Sequence, residues 1–171
     1  MNVADFVPML AFTRGRIEEL VDAVAATGRA EEVLAWRPGP GRANLGWQLM
    51  HVAATDHRFL TLRFQGIPPT EPEFAKAYGF GSTPSDVPPS LEEIRRTQAK
   101  HRQALLALLA KLPADGLDQY PPAPPAGMPV PPPRTFREWL TLLVWHEAHH
   151  HGQCHLTLNL WKAAHPAAAA V

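Results

Sequence analysis

The chain has 171 residues, enough for one domain with a substantial core, and its 46% hydrophobic and 19% charged content excludes disordered and collagen-like classes. Sixteen Lys and Arg balance sixteen Asp and Glu, so the basic footprint that nucleic-acid binding requires is missing and no nucleic-acid partner is expected. The lone Cys154 excludes an internal disulfide and points to a reducing compartment. Charges at Asp5, Arg14, Arg16, Glu18 and Glu19 break any signal-peptide core, and no run reaches the roughly 20 apolar residues of a membrane span. The expectation is a soluble cytoplasmic protein without a membrane partner.

In chain order, the first helix is expected from about Val3 to Ala26, ending before Gly28, with Pro8 and Gly15 weakening its first half. Asn44 is a good N-cap for a second helix from Leu45 to Phe64, a stretch with no proline and only Gly46 near its start. Nineteen prolines, about twice the ordinary share, fall mainly in Pro68 to Pro89 and Pro113 to Pro133, which read as loops; residues 121–133 read as a stiff linker. Between these stretches, Ser90-Leu-Glu-Glu93 is a capping box opening a third helix to about Leu112. Thr135-Phe-Arg-Glu138 opens the last, which runs to Ala164. No segment alternates as a half-buried strand does. The pattern predicts an all-α fold: a four-helix bundle with long proline-rich inter-helix loops, forming one domain over residues 1–171, with the up-down order left open by the loop lengths.

A helical wheel at about 100° per residue puts Phe136, Trp139, Leu143, Leu158 and Trp161 on one stripe of the last helix. His146, Glu147, His150 and Cys154 continue that stripe through the middle, where aliphatic side chains ordinarily sit. Buried polar groups cost on the order of 1 to 3 kcal/mol each unless compensated, and a metal ion is the simplest compensation. His146 and His150 lie one turn apart and can converge on one ion. In the second helix Trp47, His51, Ala54, Arg58 and Leu62 share a stripe with His51 near its centre, which makes His51 the third ligand.

A single histidine on an apolar face is more often a hydrogen-bonded core residue than a ligand; the convergence of three is what favours a metal. His57 falls about a quarter turn from the stripe and reads as a group behind the ligands or at the surface. His149 and His155 fall well outside the last helix's stripe and His151 just beyond its edge, so none of them is expected to ligate. Cys154 reads as packing. Three neutral imidazoles suit Zn, Ni, Fe(II), Co or Cu and leave a coordination position open, the mark of a catalytic rather than a structural site.

Asn44-Leu-Gly-Trp-Gln-Leu-Met-His51 and His146-Glu-Ala-His-His150-His-Gly-Gln153 together resemble the DinB-like family of metal-binding four-helix bundles. That family includes bacterial thiol-dependent transferases and the mycothiol-dependent maleylpyruvate isomerase. The resemblance implies a ligand triad of His51, His146 and His150, the same three residues. His151 stands where the family often has arginine. A rival is written in the same letters, since His146-Glu147-Ala-His-His150 also reads His-Glu-x-x-His, in which the Glu is a metalloprotease base. Gln153 and Leu156 occupy the positions where a metzincin has Gly and His, and no strand is available to hold a peptide.

The functional expectation is a metal-dependent enzyme that carries a low-molecular-weight thiol to an electrophilic small-molecule substrate, with Arg58 as a candidate substrate-binding residue. Alternatives are a metal-dependent hydrolase, or a non-catalytic, metal-stabilised stress-response or binding protein in which Glu147 or Cys154 completes the coordination sphere. Apolar Leu142, Trp145 and Leu160 outside the core stripe allow a homodimer.

Overall fold

Each long helix begins where a side chain satisfies the first free backbone N–H groups. In the computed structural model, which describes residues 2–113, 115–128 and 130–166, the elements are α1 (Val3–Ala25), α2 (Ala30–Ala35), α3 (Leu45–Arg58), α4 (Pro72–Tyr78), α5 (Leu91–Leu109) and α6 (Phe136–Ala164). No strand occurs among the described residues. Asn44 Oδ1 accepts from Trp47 N at 2.8 Å, Ser90 Oγ from Glu93 N at 3.2 Å, and Thr135 with Glu138 closes a full capping box. At Ser90 only the forward half of the expected box forms. The Glu93 carboxylate lies instead near Tyr78, whose phenol is raised by burial and then by that charge.

Three features depart from the four-helix expectation. Residues 30–35 form the short α2, and residues 72–78, inside the first proline stretch, form α4. Pro72 begins α4 because a proline at the first helical position gives up an N–H that has no intrahelical partner there. Phe74 and Tyr78 then pack on the core, so a seven-residue helix is held by tertiary contact rather than by its own propensity. The third departure is in the second long helix, which leaves α geometry after Arg58 and continues as a π-helix over Phe59–Gln65. Gly66, at φ +63°, ends it; a Cβ there would lie 2.6 Å from the Ala123 carbonyl oxygen, so glycine lets residues 122–123 close against this turn.

The core is in two parts. One holds Ile17, Val24, Leu49, Ile94, Leu158 and Trp161; the other holds Phe6, Leu10, Phe59, Leu105, Trp139 and Leu143. In the last helix's predicted stripe Phe136, Trp139, Leu143, Glu147, Cys154, Leu158 and Trp161 are buried, and His146 and His150 are part-buried. Between the two parts each long helix contributes one buried charge: Arg14 from α1, Asp56 from α3, Arg102 from α5 and Glu147 from α6. Arg14 meets Asp56 at 2.8 Å and Glu147 at 2.9 Å; Arg102 meets Asp56 at 3.1 Å and Glu147 at 2.7 Å. Thr13 adds a hydroxyl hydrogen bond to Glu147. Burial alone would lower Arg102, but Asp56 and Glu147 outweigh it and raise its pKa. The four charges sum to zero and close a ring that forms only when all four helices hold this rotation.

Removing either acid leaves two buried guanidinium groups sharing a single carboxylate. Glu147→Ala should therefore lose about 3–5 kcal/mol in urea denaturation. Asp22→Ala, which breaks the solvent-exposed 2.7 Å pair with Arg95, should change stability by less than about 1 kcal/mol. Equal effects would contradict the ring as the organising contact.

Candidate metal centre

His51 on α3 meets His146 and His150 on α6 in a cluster whose ligand atoms all lie within 4.8 Å of one another. Ring centroids are 4.4 Å apart for His146 and His150, 4.8 Å for His51 and His150, and 5.2 Å for His51 and His146. The one-turn spacing on α6 stacks two imidazoles on one face, and the ring of charges beside them turns that face toward α3.

His51 is held on two sides. Its Nδ1–H donates to the Tyr78 carbonyl at 2.7 Å, which fixes the tautomer and leaves Nε2 free. Its ring lies flat on Trp47, centroids 4.8 Å apart and planes 12° apart. The Trp47 indole N–H is itself tied to the Ala77 carbonyl at 3.1 Å and to Ser82 Oγ at 3.2 Å. Thus α4 and the turn after it orient His51 on α3, a contact between separate parts of the chain that a wheel cannot display.

The residues fit a divalent transition metal. The Nδ1 atoms of His146 and His150 are buried with no hydrogen-bond partner, so the fold leaves imidazole nitrogens unsatisfied where three rings converge. Two nitrogens bound at about 2.0–2.1 Å to one ion span at most about 4.2 Å, within a small ring rotation of the arrangement present. Burial, reinforced by His150 and His51, pushes His146 down to about 3; burial and then His51 push His150 down to about 4. Burial also lowers His51, against its bond to Tyr78. All three rings are neutral at neutral pH, the form that ligates.

The other candidates separate cleanly. Glu147 points away from the triad into the charge ring, so it is neither a fourth ligand nor a protease base. Cys154 is buried in the apolar core, its thiol near Gln48 Oε1 at 3.7 Å and its pKa pushed well up by burial; it too lies outside the cluster. His149 and His155 are exposed, and His151 is partly exposed. His57 is not at the surface: it is buried, with Nε2 3.0 Å from Thr70 Oγ1 and its ring 5.0 Å from His101. The reason is α4, whose Phe74 covers this flank of the bundle. Arg58 is half-buried and lines a cavity of about 490 Å³ together with His51, His146, Thr55 and Trp139. Thr55 Oγ1 lies 3.5 Å from His146 Nε2. The sequence reading missed Thr55, although it stands one turn after His51, and it missed Arg63, which lines the same cavity.

A helical bundle with three convergent histidines from two helices defines a class of proteins able to hold one metal ion at their centre. The family profile of the DinB superfamily matches residues 9–154, and the chain belongs to that superfamily. No curated protein matches it significantly.

His51→Ala, His146→Ala and His150→Ala should each lower zinc affinity by about tenfold or more in a competition titration, because two imidazoles compete poorly with water. His149→Ala and His155→Ala should change it little. A loss at His149 equal to that at His146 would contradict the arrangement of α6. The pH dependence has a defined sign. In metal-free protein the three clustered histidines sit below their ordinary 6.5. As pH falls beneath 6.5 the unfolded chain takes up protons that the native state refuses, so their stability contribution is full above that pH and lost toward pH 3–4. The slope is at most about 1.4 kcal/mol per pH unit for each histidine. The urea midpoint of chelated protein should accordingly drop between pH 7 and pH 5; a constant midpoint would show that the rings protonate freely.

Proposed function

We propose that the chain is a metal-dependent enzyme that transfers a low-molecular-weight thiol to an electrophilic small molecule, working in the reducing cytoplasm where such thiols are abundant. The observation that carries this reading is the donor set. Three neutral imidazoles converge with no carboxylate or thiolate of the described residues among them, and two of them, His51 and His146, line a cavity of about 490 Å³. His51, His146 and His150 would hold a divalent ion such as Zn, Ni or Fe, which would supply the positive charge that lets a low-molecular-weight thiol lose its proton at neutral pH.

The chain's own residues do the rest. Tyr78 and Trp47 hold His51 in the ligating orientation. Thr55 presents a hydroxyl beside His146. Apolar Phe59, Leu62 and Trp139 wall the cavity and limit water around the reacting groups. No Asp or Glu lines the cavity among the described residues, and Glu147 is engaged elsewhere. A metal-bound thiol would be a thiolate at neutral pH and so would need no carboxylate base from the chain.

Cobalt substitution tests this directly. Addition of glutathione, cysteine or mercaptoethanol to the Co(II)-loaded protein should produce an intense thiolate charge-transfer band in the near ultraviolet, absent from His51→Ala. If none of these thiols alters the Co(II) spectrum of protein with full cobalt occupancy, thiol transfer is excluded and hydrolysis or a structural ion takes its place.

A further inference from the structure

The fold compensates its buried arginines with one exception. Arg14 and Arg102 each face both Asp56 and Glu147 at 3.1 Å or less. Arg63 is also buried, at 9% exposure, yet it makes no ion pair among the described residues; its Nη1, like those of Arg14 and Arg102, is buried with no hydrogen-bond partner, but it alone of the three has no carboxylate beside it. Its guanidinium lies over the Trp139 ring, 4.9 Å from the centroid, which supports the group's face and leaves its donor edge uncommitted. Arg58, five residues earlier, lines the same cavity and likewise has no acid partner among the described residues.

Helix geometry brings the two together. In an α-helix, residues five apart diverge by about 140°. The π-helical turn over Phe59–Gln65 hydrogen-bonds across five residues and draws Arg58 and Arg63 toward one face, where both line the cavity beside His51 and His146. Burial, and then the charge of Arg58, hold Arg63 down to about 10, still positive at neutral pH. Two cations with no acidic residue on the cavity wall among the described residues form an incomplete electrostatic set.

We propose that Arg63, together with Arg58, is an anion subsite that receives a carboxylate of the cavity's small-molecule ligand and so directs the rest of that ligand toward the histidine triad. Arg63, Leu62 and Trp139 also wall a second cavity of about 430 Å³, whose opposite side is built from the proline segment, including Pro122, Pro131 and Pro133. The subsite therefore sits where the two spaces adjoin, with apolar surface on the proline side. The ligand that matches is a carboxylate with an apolar body, bound by the planar fork of an arginine. This inference rests on the reading of the cavity as a ligand site, but it needs neither a metal nor a thiol.

Binding to the metal-free full-length protein keeps the two readings apart. Succinate, titrated by calorimetry into chelated protein, should bind, and neutral succinamide should not. Arg63→Gln should weaken succinate at least about tenfold, the loss expected for a charge-assisted hydrogen bond, and Arg58→Gln should weaken it by a smaller factor. Arg63→Lys, which keeps the charge but not the fork, should fall between wild type and Arg63→Gln. Should Arg63→Gln not fold, the half-buried Arg58→Gln and the succinamide control decide. No succinate binding to folded metal-free protein, binding unaltered by either arginine substitution, or phosphate binding more tightly than succinate would overturn the proposal. A failed cobalt–thiol titration alongside arginine-dependent succinate binding would overturn thiol transfer alone.

Discussion

Four buried charges decide how this bundle is assembled. Two guanidinium groups and two carboxylates, one from each long helix, are affordable inside an apolar core only as a closed set, because any one of them unpaired would cost several kcal/mol. Apolar contacts alone tolerate a helix rotated or slid by a fraction of a turn. Paired ions at 2.7–3.1 Å do not. The ring lies between the two halves of the core, so it fixes all four helices at mid-height, where the histidines are.

The metal centre follows from that constraint. Glu147 directly succeeds His146, so anchoring the carboxylate toward α1 and α5 turns the neighbouring imidazole, and His150 one turn on, toward α3. Asp56 directly succeeds Thr55, one turn beyond His51, and anchors α3 in the same way. The remaining freedom of His51 is removed by Trp47 beneath it and the Tyr78 carbonyl beside it. Arg63 differs from the ring arginines in having no acid partner among the described residues, and the Nδ1 atoms of His146 and His150 have no hydrogen-bond partner.

Much of this was legible in the sequence because it is periodic. Three N-caps and a one-turn histidine pair inside an apolar stripe located the long helices and selected His51, His146 and His150 over six other histidines. The glutamate at 147 was legible as buried but not as paired, since its partners Arg14 and Arg102 lie on other helices and a wheel treats each helix alone. Helix α4 was hidden by its composition: a proline that elsewhere marks a loop serves as a first helical residue at Pro72, and the helix is held by packing of Phe74 and Tyr78. Without α4, the choice for His57 between a place behind the ligands and one at the surface stayed open, and the Tyr78 bond was invisible. Arg63 escaped because the wheel assumed α geometry through Phe64, and the π-turn after Arg58 changes which residues share a face.

The central claim is that ion pairing places three imidazoles, and no other side chain, around a single metal position. X-ray absorption at the zinc edge, on protein loaded with one equivalent of zinc, measures that donor set directly. The account predicts about three imidazole nitrogens near 2.0–2.1 Å with light-atom solvent ligation in the remaining position. A sulfur scatterer near 2.3 Å from Cys154, or a first shell with fewer than two imidazoles, would contradict it.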